Sequence, residues 1–354
     1  SQAAITLTNK NLIDELELLF ESFIELIAGA IDEKSPYTGG HCRRVPELTI
    51  MLTEAVHNDE QGPLKDFSMT DDDRYELKIA SWLHDCGKIT TPEYVVDKAT
   101  KLETIYDRIH EIEARFEIVR RDLKIALLEK QLANPNASND FNENLLSEYD
   151  KELAHVNIDL AFIKQHNTGG EFMMKEDQEQ VLEIAERYQI TDFQGNEFNM
   201  LSDDEVKNMQ ISRGTLNDEE RLIINKHINV TIDMLKSLKL PKHLKNIPEI
   251  AGGHHERMDG KGYPFGLTRE QMSVQTRVMG IADIFEALTA ADRPYKKAKP
   301  ISESLLIMKR MKDTHHIDPD IFDIFVRKGI YLDYANKFLK DYQIDEIDIS
   351  DYLD

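Results

Sequence analysis

The dipeptide His84-Asp85, within the run His84-Asp85-Cys86-Gly87-Lys88, sets one neutral nitrogen donor beside one carboxylate. That mixture suits Zn, Mn, Fe or Ni, and a carboxylate has two oxygens with which to bridge a pair of ions. Alone, such a dipeptide reads equally well as a surface pair. Its company elsewhere changes the reading. His254-His255 precedes Glu256-Arg257-Met258-Asp259-Gly260-Lys261-Gly262-Tyr263-Pro264, and Asp283 lies in the apolar stretch Val278 to Leu288 among Ile281, Ala282, Ile284 and Phe285. An ionised carboxylate buried there is costly unless something positive neutralises it. A metal ion is the simplest such partner; a salt bridge to Arg277 or Arg293 is the competing reading.

Several elements must position these groups. Leu77, Ile79, Ala80, Trp82 and Leu83 form an apolar helix that delivers His84 at its end. Upstream, Leu12, Leu16, Leu19, Phe23 and Leu26 recur in steps of four and three, which predicts an N-terminal linker helix over 1–30 packing along one seam. It reads either as a bundle helix or as a helix for homodimerisation. Ser35-Pro36-Tyr37-Thr38-Gly39-Gly40 breaks it, and the next helix carries His41, Leu48, Met51, Leu52 and Val56. From Ile105 the same spacing continues through Ile109, Ile112, Phe116, Val119 and Leu123. A turn signal at Asn134 to Asp140 follows, and a second pattern runs through Leu146, Tyr149, Leu153, Val156, Leu160 and Ile163 to Gly169-Gly170. These predict an antiparallel helical hairpin without chemistry of its own. Residues 171–211 read as one helix, an irregular stretch and a small hairpin at Gln194-Gly195-Asn196. From Leu216 the chain turns helical again with Asn217 as cap, carries His227, and predicts helices at 230–238, 243–257, 270–291, 302–312 and 319–327. The expected fold class is all-α.

Across 354 residues, 43 Lys and Arg face 66 Asp and Glu, a net charge of −23 that argues against wrapping DNA. Any anionic ligand must meet a local basic patch. Two cysteines cannot build a disulfide framework, and no apolar run approaches the ~20 residues of a membrane span, so a cytoplasmic setting is expected. Opening on Ser1 fits a processed or excised chain with room for an upstream domain.

His41, His84-Asp85 and Asp283 resemble the H, HD and D signature of the HD-superfamily metal phosphohydrolases, and Gly262-Tyr263-Pro264 after His254-His255 resembles the HD-GYP subgroup, cyclic di-GMP phosphodiesterases of bacteria. The resemblance spans about 30–100 and 212–330, including Asp292-Arg293-Pro294-Tyr295-Lys296. It implies an HD-type catalytic domain over 31–102 and 212–330, interrupted by a helical insertion over 103–211 and followed by a C-terminal extension, 331–354. It further implies that His41, His84, Asp85 and Asp283 hold one divalent ion and Asp85, His227, His254 and His255 a second. Asp85 is then the bridge. Five imidazoles and two carboxylates leave open positions on two six-coordinate ions for water and substrate. Where some relatives place a glutamate for a third metal this chain has Tyr37, so two ions of Fe, Mn, Ni or Zn are expected, without Asp32 or Glu33 as substitutes.

The implied reaction is hydrolysis of a cyclic dinucleotide by a bridging hydroxide, yielding pGpG, GMP or both. Lys88, one helical turn beyond His84, matches a family lysine on the scissile phosphate; Arg293 and Lys296 match further phosphate contacts. The glycine-rich loop around Gly262, Tyr263 and Pro264 is linked in the family to substrate shape and to GGDEF-domain partners. Hybrid cyclic GMP-AMP or another nucleotide as substrate, and a non-catalytic cyclic-dinucleotide receptor or partner-binding module, are the alternatives. Histidines 57, 110, 155, 166, 243, 315 and 316 read as surface or packing residues, and Cys42 and Cys86 as small apolar fillers.

Overall fold

The computed structural model describes residues 2–34, 40–170, 172–291 and 298–353. Tyr37, Arg293 and Lys296 lie outside them. In chain order the helices are α1 Gln2–Asp32, α2 His41–His57, α3 Asp71–Leu83, α4 Glu93–Val96, α5 Ile109–Ala133, α6 Asn139–Asn167 and α7 Lys175–Arg187. After the strands β1 Gln189–Thr191 and β2 Glu197–Asn199 come α8 Asp203–Met209, α9 Asp218–Ser237, α10 Ile247–Gly252, α11 Val274–Thr289, α12 Ile301–Asp313, α13 Pro319–Arg327 and α14 Ile330–Phe338. The fold is all-α, and β1 pairs antiparallel with β2 across Gly195 at φ 87°. Among the described residues no helix is long and apolar enough to cross a membrane.

The chain forms two compact units: 1–91 with 223–354, and 92–222. The second is wider at both ends than the 103–211 read from the sequence. The segment 331–354 belongs to the core of the first unit, where Tyr331, Tyr334, Ala335 and Tyr352 are buried.

In the first unit α2 and α11 lie together. On one side Leu48, Leu52 and Val56 of α2 join Val278, Ile281, Ala282 and Phe285 of α11 in a core with α12, α13 and α14. On the other side Leu77, Ala80 and Leu83 of α3 meet Ile24, Ala28 and Ile31 of α1 and Ile250 and Ala251 of α10. Local signals fix the starts of these helices. Thr70 and Asp73 make a reciprocal capping box at α3, Ser273 caps α11, and the Asp318 carboxylate accepts the N–H groups of Asp320 and Ile321 at α13. The expected seam of α1 is not its packing face. Leu12, Leu16, Leu19, Phe23 and Leu26 are each more than half exposed, and the helix instead buries Ile24, Ala28 and Ile31 one turn apart.

In the second unit α5 and α6 form the antiparallel hairpin, with Lys164 paired to Glu113 near its open end. Its core joins Ile112, Phe116 and Val119 to Val156, Ile163, Val181 and Ile184. The helical pattern read from Ile105 begins later. Ile105 is 94% exposed and lies before the helix, which starts at Ile109, where the Asp107 carboxylate accepts the Ile109 N–H.

Candidate metal centre

Five separate stretches of the first unit converge on one buried cluster. His41 opens α2, His84 and Asp85 follow α3, His227 sits mid-way along α9, His254 and His255 follow α10, and Asp283 lies on α11. His41, His84 and Asp283 form one close group of donor atoms, His227, His254 and His255 another, and His84, Asp85 and His254 a third that joins them. Asp85 faces both sides. Its Oδ2 lies 3.4 Å from Nε2 of both His41 and His84, while Oδ1 lies 3.2 Å from Nε2 of His227 and 4.0 Å from that of His254. Asp283 Oδ1 stands 3.3 Å from His41 Nε2 and 3.7 Å from His84 Nε2. Arg277, the competing partner for Asp283, pairs instead with Asp318.

The imidazoles are aimed from behind. Nδ1 of His84, His227 and His254 donates to the carbonyl three residues earlier, Ser81 at 2.7 Å, Ile224 at 2.5 Å and Ala251 at 2.6 Å. His41 donates from Nδ1 to Glu286, whose other oxygen accepts from Arg44 Nε at 2.7 Å. Each arrangement fixes the tautomer that leaves Nε2 with a lone pair. Those Nε2 atoms, with Asp85 Oδ1, are buried without a hydrogen-bond partner. Five such orphaned atoms in one place fit the donor set of a divalent cation, since buried polar atoms otherwise find partners. The cluster fits metal binding.

Close backbone approach makes this convergence possible. Gly87 donates its N–H to Thr231 Oγ1 at 2.9 Å, and a Cβ at this position would fall 2.0 Å from the His227 carbonyl oxygen. Only glycine lets the 3₁₀ turn Cys86–Thr90 back onto α9 so that Asp85 meets His227.

The electrostatics are those of a site built around positive charge. Burial works against charge on His41, yet Glu286, Asp283 and Asp85 hold its pKa well above the ordinary histidine value. Burial likewise opposes charge on His84, and Asp85 and Asp283 raise it to about 9. Burial alone would raise the acids; Lys88 and His84 bring Asp85 well below the carboxylate range, and His41 and His84 do the same for Asp283. Across the cluster burial lowers His254 well below its ordinary value, reinforced by His255 and His84, and takes His255 down to about 4. Without a cation the neighbouring acids favour a proton on His41 and His84, whereas ligation takes the neutral ring with its Nε2 lone pair, so proton and metal compete for the same nitrogens.

Lys88 reaches the Asp85 carboxylate. Glu256, 5% exposed, shapes the glycine-rich loop by accepting the N–H groups of Phe265 at 2.7 Å and Leu267 at 2.8 Å. Within that loop, between Gly262 and Pro264, the Tyr263 ring stacks on His255 with centroids 4.9 Å apart. The carboxylate of Asp32 accepts backbone N–H groups of Gly40 and Cys42, and Glu33 is exposed. Cys42 and Cys86 are buried free thiols in the α1–α3 core. Among the described residues, none of histidines 57, 110, 155, 166, 243, 315 and 316 joins the cluster. Sequence reasoning missed Glu286, Arg44 and Glu256. Glu286 lies three residues after Asp283 and Arg44 three after His41, so helical spacing was the available signal.

A two-sided set of histidines around one aspartate, at the meeting of five helical segments, defines a metal-binding HD-type domain. A family model described as an HD domain matches residues 163–321, which include His227, His254, His255 and Asp283. The chain is 38% identical over 116 residues to a 3′3′-cGAMP-specific phosphodiesterase of Vibrio cholerae, covering 33% of this chain and 26% of that protein. It is 38% identical over 120 residues to a cyclic di-GMP phosphodiesterase of Pseudomonas aeruginosa, 33% of this chain and 28% of that one. A cyclic di-GMP phosphodiesterase of Thermotoga maritima is 32% identical over 114 residues, 32% and 30% of the two. The matches thus span about a quarter to a third of each relative's length. Over these stretches the chain is similar to HD-domain proteins, cyclic dinucleotide phosphodiesterases among them.

Proposed function

We propose that this chain is a metal-dependent phosphodiesterase that opens a cyclic dinucleotide, cyclic di-GMP before others. The observation that carries the reading is Asp85, with one oxygen turned to His41 and His84 and the other to His227 and His254. In this reading His41, His84, Asp85 and Asp283 hold one divalent ion, and Asp85, His227, His254 and His255 hold the second. Two such ions, when bound, lower the pKa of water and neutralise charge gathering on the phosphate. The chain's own residues do the rest. The carbonyls behind His84, His227 and His254 and the carboxylate behind His41 keep each Nε2 facing inward. Lys88 brings an ammonium to the edge of the cluster, where it meets the scissile phosphate, and Arg293 and Lys296 add positive charge that the acidic surface lacks. Gly262, Tyr263 and Pro264 form the loop that accommodates the substrate, and the same loop is the docking site for a GGDEF partner. The product is linear pGpG, GMP or both.

A second substrate has specific support, because two relatives, 38% and 39% identical, are 3′3′-cGAMP-specific phosphodiesterases. The test combines elemental analysis of the purified chain with competitive hydrolysis of cyclic di-GMP and 3′3′-cGAMP, before and after chelation. We expect metal near two ions per chain, faster loss of cyclic di-GMP, and abolition by chelator with recovery on adding Mn or Fe. Turnover indifferent to chelation sinks the proposal, and a preference for 3′3′-cGAMP moves it to the second substrate.

A further inference from the structure

The end of α1 and the turn just after it reach the centre at two points without offering a ligand. Asp32 is 7% exposed, and its oxygens hold the backbone on both sides of His41: Oδ2 accepts the Gly40 N–H at 3.0 Å and Oδ1 the Cys42 N–H at 3.3 Å. Two residues later Lys34 donates from Nζ to the carbonyls of Lys88 at 3.2 Å, Ile89 at 2.5 Å and Thr91 at 2.6 Å. These oxygens lie at the end of the turn Cys86–Thr90 and on Thr91 just after it, where the carbonyl end of the turn favours a cation. That turn begins one residue after Asp85 and carries Lys88.

Both contacts grip main chain rather than ligand side chains, so they set the frame from which His41 and Lys88 project. The helix behind them is itself anchored, through Ile24, Ala28 and Ile31 packed with α3. Resting on the phosphodiesterase reading above, we infer that Asp32 and Lys34 are positioning residues forming a two-point brace. Asp32 seats His41 and thereby governs retention of metal by His41, His84 and Asp283. Lys34 seats Lys88 and thereby governs engagement of the phosphate. A tilt or axial slide of α1 moves both halves together, which makes this helix the mechanical input to the centre.

The test compares the full chain with its Asp32→Asn, Lys34→Met and Lys34→Arg variants. The measurements are Mn affinity and content per chain, thermal midpoint, and kcat and KM on cyclic di-GMP. Asp32→Asn keeps the shape but turns an amide nitrogen toward one of two N–H groups, and we expect Mn affinity to fall about tenfold or more. Lys34→Met keeps its Mn while kcat/KM falls about tenfold, and Lys34→Arg recovers most of that loss. Unchanged Mn affinity in Asp32→Asn, or unchanged kinetics in Lys34→Met, overturns the brace. So does a shared drop in thermal midpoint with metal content and kinetics intact, the mark of a merely structural role. A wild-type chain that retains no metal and leaves the dinucleotide intact defeats the phosphodiesterase reading and the brace with it; an active wild type with silent variants defeats the brace alone.

Discussion

Both units bury charged groups with partners, as Asp318 and Arg277 do in the first, but they differ at one place. In the second unit Lys98 is enclosed by Glu220 and Asn208, Arg115 grips Glu205 with two nitrogens, and Asp159 is shared by Arg187 and Tyr188. Among the described residues of that unit, the sole buried side-chain atom without a partner is Arg108 Nη2, on a guanidinium that pairs elsewhere with Asp204. In the first unit four imidazole nitrogens and a carboxylate oxygen are orphaned within one cluster. Charge satisfied by charge makes a scaffold. Charge held ready and unsatisfied makes a site, and its cost is tolerated only where something else repays it.

The largest expected effect contrasts Asp85→Asn with Lys98→Met. The first is predicted to cut cyclic di-GMP hydrolysis by about a thousandfold or more and to strip metal, while the fold survives as judged by circular dichroism. The second leaves the buried Glu220 carboxylate without its cation and with the Asn217 N–H still donating to it, so it should cost about 3 kcal/mol in chemical denaturation yet leave metal content unchanged. If Asp85→Asn unfolds the chain and keeps its metal, the contrast is broken.

Glu286→Gln probes the support rather than the site. An amide in place of the carboxylate weakens its hold on the His41 ring and its pairing with Arg44. Metal affinity should fall about ten- to a hundredfold, read by titrating the chelated protein with Mn. Affinity equal to wild type would show that His41 needs no such backing.

The smallest effect concerns Lys101, which donates to the Met209 carbonyl at 2.9 Å and is lowered by burial to about 8 from the ordinary 10.5. Between those values the folded chain binds fewer protons than the unfolded one, so this group's contribution to stability grows as pH rises through the window. Lys101→Met removes the dependence. Wild type should therefore gain on the variant in denaturation midpoint between pH 8 and pH 10.5, and parallel curves would refute the assignment.

Much of the candidate site could be read from sequence because its ligands come in unusual company. His84-Asp85 and His254-His255 are uncommon company, and Asp283 stands in an apolar stretch where a buried carboxylate needs a positive partner. The supporting residues carry no such mark, since a glutamate and an arginine on helices are ordinary until the fold sets them beside His41. The same limit hid the packing face of α1. Two apolar stripes run along that helix, and the longer one is exposed on this chain, so periodicity alone did not find the side that packs within it. Unit boundaries at 92 and 222 leave no compositional trace, because the core of the second unit draws on residues as apolar as those of the first.

The first unit is interrupted between Thr91 and Ile223, a few residues from where Gly87 touches the backbone of His227 and Thr231. The severed ends are thus clasped by the host's own main chain. Chain-closure entropy rises only about 0.6 kcal/mol for each doubling of the intervening length. A change in the length of the chain between these ends therefore adds little closure cost to the unit that carries the seven candidate ligands.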